Sequence, residues 1–97
     1  MANRNGRPRR TDADRAYLLA LGARIVEVRN RRQWSRRELS EAAQLSEETL
    51  HHYEHGSKMP TVASALRLAK ALDVGLGWLL KGPKENVAAA ANDKGQA

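Results

Sequence analysis

Three histidines and two glutamates crowd into one short stretch, as Glu47, Glu48, His51, His52 and His55. Glu47, His51 and His55 fall at i, i+4 and i+8, which on a helix puts all three on one face, and a histidine pair at i, i+4 is a spacing that can hold zinc. The HExxH core of a zinc helix is missing, so the preferred reading is a solvated face whose charge follows pH. The chain has no cysteine, which removes disulfides, thiolate metal sites and cysteine nucleophiles together. Nowhere do a nucleophile and a base, a cluster of metal ligands or a phosphate-cradling glycine loop occur in the pattern that catalysis needs. No catalytic residue, metal or cofactor is expected, and the chain reads as a binding protein and not as an enzyme.

Binding, in this chain, is a matter of positive charge. The net charge is +6 over 97 residues and the pI is about 10.3, a balance suited to a polyanionic partner. Its distribution is uneven. From Met1 to Arg37 eleven arginines face Asp12, Asp14 and Glu27; residues 38 to 57 hold five glutamates and no lysine or arginine; from Lys58 onward six basic residues face three acidic ones. An acidic segment therefore lies between basic flanks. The length suits one small domain, near the lower limit for folding unaided, where close packing or dimerisation helps. No apolar run approaches the length of a membrane span, about eighteen residues, and the N-terminus lacks the core of a secretion signal. A soluble, cytoplasmic protein with no membrane partner is expected.

The acidic segment must be positioned by the stretch from Ser35 to Gly56. Ser35 and Glu38 have the spacing of a capping box, in which each side chain satisfies a free backbone donor of the other, so a helix starts there. Leu39, Ala42 and Ala43 follow at i, i+3 and i+4 as a short apolar stripe, and the two alanines let another helix approach closely. Gln44 and Leu45 interrupt the pattern. Ser46 then caps a second helix, with Glu47 and Glu48 in its first turn where negative side chains favour the helix dipole. Leu50 and Tyr53 anchor this helix together with Leu45, and Gly56 ends it. Two helices this short, joined by so tight a turn, cannot bury a core alone; they pack at a steep angle and leave one polar face exposed.

In that arrangement the residues resemble the Cro and phage-repressor type of helix-turn-helix regulators, the XRE family. The matching positions are Ser35, Glu38, Leu39, Ala42, Ser46, Thr49, Leu50, Glu54, Gly56, Lys58 and Pro60, then Leu66, Ala69, Leu72, Val74 and Trp78-Leu79-Leu80, so the likeness runs from about Leu21 to Gly82. It implies an all-α fold, a five-helix bundle around a central helix-turn-helix, with double-stranded DNA as partner. The second motif helix of such a fold enters the major groove N-terminus first. Glu47, Glu48 and His52 are then the implied base readers, with His51 beside them and His55 nearby. Glutamate can accept a hydrogen bond from cytosine N4; as plain helix-start residues the two glutamates would contribute about 0.3–1 kcal/mol each, and both readings are open. Ser35 and Arg36 at the start of the first motif helix, with Arg37, Ser46 and Lys58, are the implied phosphate contacts. Arg37 could equally be a solvated charge. The likeness also implies a salt bridge between Arg29 and Glu54. Gln44 departs from it, since glycine is usual there, and a left-handed Gln44 would cost roughly 1–2 kcal/mol.

Residues 1–10 hold Arg4, Arg7, Arg9 and Arg10 with no large apolar side chain after Met1, and read as a disordered basic arm. Gly6-Arg7-Pro8 resembles the AT-hook core, with Asn5 in place of its first arginine; a minor-groove reader and a non-specific phosphate binder are both open. Residues 11–82 form the expected domain. Thr11 and Asp14 cap a long first helix running to about Arg32, with Leu18, Leu21, Ile25 and Val28 on its core face. Tyr17, Leu19 and Val26 lie off that face, free for a partner or for packing on the fifth helix. Trp34 reads as core. Thr61 caps a fourth helix with Val62, Ala65, Leu66, Ala69 and Leu72 at core spacing. A short fifth helix, Leu76 to Lys81, carries Leu76, Trp78 and Leu79 as candidate homodimer contacts, with core burial as the competing reading for each. Residues 83–97 read as a flexible tail.

Two functions follow. One is a sequence-specific, dimeric DNA-binding transcription regulator, a repressor in a bacterium or phage-infected cell, bound at the nucleoid. The other is a protein-interaction module of antitoxin or adaptor type, in which the acidic helix face meets a basic protein partner.

Overall fold

The computed structural model describes residues 10–83. It contains five helices, α1 (Asp12–Arg31), α2 (Arg36–Ala43), α3 (Glu47–Glu54), α4 (Val62–Leu72) and α5 (Leu76–Lys81), and no strand among the described residues. Side-chain caps start the first four. The Thr11 hydroxyl accepts the Asp14 N–H at 3.0 Å while the Asp14 carboxylate accepts the Thr11 N–H at 3.2 Å. Ser35 and Glu38 reciprocate in the same way at 3.0 and 2.7 Å, and Ser46 and Thr61 cap through their hydroxyls. These bonds satisfy donors that an open helix end would leave unpaired. The basic arm and tail fall almost wholly outside the described residues; of the arm only Arg10 is described.

Four helices also end alike. After α1, α2, α3 and α4 the chain turns through a left-handed residue, Gln33 (φ 58°), Gln44 (φ 59°), Gly56 (φ 74°) and Asp73 (φ 58°). In each case the next residue's N–H reaches back to a carbonyl five positions earlier: Trp34 to Arg29, Leu45 to Ser40, Ser57 to His52 and Val74 to Ala69, all at 2.9–3.0 Å. This is the Schellman closure, in which glycine carries no Cβ penalty and other residues do. Only α3 uses glycine for it.

The core is built where all five helices meet. Leu18, Leu21, Ile25 and Val28 of α1 are buried as their spacing predicts, with Leu39 and Ala43 of α2 and Leu50 and Tyr53 of α3; Ala42, expected on the α2 stripe, is exposed, and Ser40 is buried in its stead. Trp34 is half-buried against this cluster, with the Arg32 guanidinium 5.4 Å from its ring centroid, and so is less enclosed than its reading as core implies. The α4 register also departs from expectation. Ala65, Leu68, Ala69 and Leu72 face inward, whereas Val62 and Leu66 are 74% and 48% exposed. A stripe through Leu68 shares the face of Ala65, Ala69 and Leu72, and Val62 and Leu66 fall on the neighbouring one. Leu79 is fully buried and closes the end of the core. It therefore belongs to the interior and offers no open surface for a partner; Leu76 and Trp78 are half-buried. The long α1 packs on α5 through Arg24, which donates to the Leu79 and Leu80 carbonyls at 2.9 and 3.1 Å. Leu19, on its early turns, is exposed.

The left-handed glutamines generate a stability prediction. Gln44→Gly should relieve about 1 kcal/mol of backbone strain, raising the thermal midpoint by about 4–8 °C. Asp73→Gly should gain less, since aspartate tolerates this conformation better. A midpoint for Gln44→Gly at or below that of the parent protein would show that the turn is unstrained.

Candidate nucleic-acid interface

Helix α3 presents two contrasting faces. Leu50 and Tyr53 point inward with Glu54, while Glu47, Glu48, His51 and His55 are exposed and His52 is half-buried. The Ser46 hydroxyl accepts the Thr49 N–H at 3.0 Å and donates to Thr49 Oγ1 at 2.8 Å. Ser46 and Ser35 thus commit their side chains to capping. What each helix start still offers an anion is its free backbone N–H groups.

Burial of Glu54 fixes the orientation of that exposed face. Its side chain is 1% exposed. Arg29 of α1 donates to it twice, Nε to Oε2 at 2.7 Å and an NH2 nitrogen to Oε1 at 3.2 Å, and gives its remaining nitrogen to the Trp34 carbonyl at 3.0 Å. Arg36 of α2 donates Nε to Oε1 at 3.1 Å. The expected Arg29–Glu54 bridge is therefore one half of a three-residue cluster that joins α1, α2 and α3. The second arginine has no signal in spacing, because Arg36 and Glu54 meet only once the motif has turned. Gly22 makes the approach possible: a Cβ there would fall 2.7 Å from the Tyr53 carbonyl oxygen and closer still to that of Glu54. Such a contact has room for no side chain.

The other candidates surround this cluster. Arg36 is about a third exposed despite its bond to Glu54. Arg37 makes a loose pair with Glu41 at 3.4 Å, both side chains mostly in solvent, an interaction of small energy that leaves its charge available. Lys58 is exposed, directly after Ser57, whose carbonyl receives an Arg10 guanidinium N–H at 3.4 Å. The first described residue of the basic arm thus lies against the loop that follows α3. Ser57 also meets His52, with Oγ 2.9 Å from Nδ1, a partner that spacing alone did not suggest. His51 and His55 stack, and His55 Nδ1 is engaged by the His51 carbonyl at 2.9 Å. Among the described residues no group of three or more histidine, cysteine or acidic side chains is arranged to hold a metal ion.

The fold agrees with the relatives found by comparison. The family model described as helix-turn-helix matches residues 25–79, more than half of the chain. No curated protein matches. Among solved structures, the restriction-modification controller protein C.AhdI from Aeromonas hydrophila superposes with a TM-score of 0.64 and 28% sequence identity, over 66% of this chain and 97% of that one. The chain belongs to the helix-turn-helix family of the Cro and phage-repressor type. It is a DNA-binding transcription regulator, and none of its described helices is long and apolar enough to cross a membrane.

Two predictions come from these geometries. Arg29→Ala should cost about 3–5 kcal/mol, because it strips a buried carboxylate of its bidentate partner. Arg36→Ala should cost about 1 kcal/mol or less, since solvent already screens that half-open pair. Urea denaturation of both variants checks the ordering, which an equal loss would contradict. The second concerns pH. His51 is held below the ordinary histidine pKa, first by lost hydration and then by His55, Arg36 and His52, with Glu54 opposing. Its folded form takes up a proton later than the unfolded chain does, so stability falls as pH is lowered through that interval. The thermal midpoint of the parent protein, relative to that of His51→Gln, should therefore drop between about pH 7.5 and about pH 5.5. A difference that stays constant with pH would remove the shift.

Proposed function

We propose that this regulator is a sequence-specific repressor that binds paired half-sites in double-stranded DNA as a homodimer, with α3 in the major groove. The observation that carries the reading is the exposed polar face of α3, held from beneath by the Glu54 cluster and bordered by Arg36, Lys58 and Arg10. Glu47, Glu48, His51 and His52 read base edges, each glutamate accepting from cytosine N4. The N-terminal N–H groups after Ser35 and Ser46, with Arg36, Arg37 and Lys58, hold the phosphates that set the register. Arg4, Arg7, Arg9 and Arg10 add counterion-release affinity. Leu76 and Trp78 contribute to the dimer contact, which places the half-sites one helical turn apart, about 34 Å. Likeness to a restriction-modification controller supports gene control as the role.

The test is selection of bound duplexes from a random DNA pool at physiological salt, using the full chain and Glu47→Gln/Glu48→Gln. A palindromic motif is expected, with bases that change in the variant, as glutamine favours adenine over cytosine. A motif unchanged by the substitution would leave the glutamates as helix caps. Salt-sensitive retention without any motif would sink the reading and favour a protein partner for the acidic face.

A further inference from the structure

The three histidines are ordered more closely than a solvated face requires. His51 and His55 lie ring over ring with centroids 4.1 Å apart and planes tilted by 34°, and His52 meets His51 edge-on at 5.7 Å. Hydrogen bonding also settles a tautomer. A carbonyl oxygen can only accept, so His55 Nδ1, 2.9 Å from the His51 carbonyl, carries a proton. Nε2 is then the nitrogen that accepts hydrogen bonds in the neutral ring and donates them in the charged one. The charged and titratable groups acting on His51 are His55, Arg36 from α2, His52 and, in the opposite sense, Glu54, with Arg29 from α1 bonded to the same Glu54 carboxylate. On α3 itself stand Glu47, one turn before His51, and Glu48, whose carboxylate lies 3.8 Å from His52 Nε2.

Resting on the reading of α3 as the groove helix, we propose that His51 and His55 couple DNA binding to proton uptake and that the charge state of His51 selects the base it reads. In the free protein His55 and Arg36 both disfavour a proton on His51. Inside a groove lined by phosphates the surrounding charge is negative, and the same imidazolium is stabilised. Binding and protonation then favour each other, so affinity rises as pH falls. The change is one of kind as well as strength. Neutral Nε2 accepts from cytosine N4 or adenine N6, whereas a protonated ring donates to guanine O6 or N7. Protons on the histidines would also offset Glu47 and Glu48 on this face, which otherwise oppose approach to the phosphates.

The experiment selects duplexes from a random pool at about pH 6 and about pH 8 at fixed ionic strength, then measures the affinity of the best duplex at both. Guanine should be enriched at one position at the lower pH, and binding there should be at least about tenfold tighter, linkage allowing up to about tenfold per pH unit for each proton taken up. His51→Gln/His55→Gln should bind with equal strength at both. Equal affinity of the parent protein at the two pH values, or a double variant that keeps the parent slope, overturns the proposal while leaving the groove reading intact. No enriched duplex at either pH defeats both. Titration of the imidazole protons by NMR provides a readout that needs no variant: the His51 and His55 midpoints must move upward on binding the selected duplex, and unmoved midpoints overturn the coupling.

Discussion

A carboxylate that is 1% exposed lies between two guanidinium groups, and the orientation of α3 depends on it. Taking a charge out of water is costly, and the cost is met only where geometry is good and the remaining lone pairs are filled. Glu54 satisfies both conditions, with three donors on its two oxygens. Arg29 is equally occupied, since its third nitrogen closes on the Trp34 carbonyl. A bidentate pair restrains angle as well as distance. The end of α3, the end of α1 and the start of α2 are therefore tied at one point beneath the exposed face. Gly22 completes the arrangement, for α1 reaches the last carbonyls of α3 only where it lacks a side chain.

Arg36 gives this cluster its connection to the surface. Arg29 is enclosed, whereas Arg36 keeps about a third of its side chain in solvent while one nitrogen holds Glu54. A guanidinium has donors to spare. An anion reaching the start of α2 can thus bind a group already anchored to the base of α3, without the entropy loss that a free arginine would suffer on being fixed.

Much of this was legible before any coordinates. Four caps and the core faces of α1 and α3 follow from short-range rules, in which residues three or four apart in sequence are neighbours on a helix; in α2 the rule holds for Leu39 and Ala43 but not for Ala42, which is exposed. Arg29–Glu54 came through resemblance, not spacing. The failures share a cause. Arg36 on Glu54, Gly22 under α3 and Arg24 on α5 all span elements far apart in sequence, and no local pattern encodes them. In α4 the apolar residues are numerous enough to draw two stripes, and the choice of Leu68 over Leu66 was made by where α2 and α5 lie. Leu79 was ambiguous for the opposite reason. In a helix of six residues periodicity has too few turns to tell the inner side from the outer.

Glycine placement carries the last lesson. Four helices close through the same left-handed turn, yet glutamine or aspartate holds three of them. Had the chain used glycine at each, strain would be relieved, but the unfolded state would gain freedom at every junction and the net benefit would shrink. Gly56 is different in kind. A Cβ there would meet Leu18 and Leu19 backbone atoms at 3.2–3.3 Å, so close packing adds to the dihedral strain that a side chain would carry. That junction also leads into Ser57, which contacts both His52 and Arg10. The one glycine among the four turns therefore stands where α3, the loop after it and Arg10 at the root of the basic arm converge.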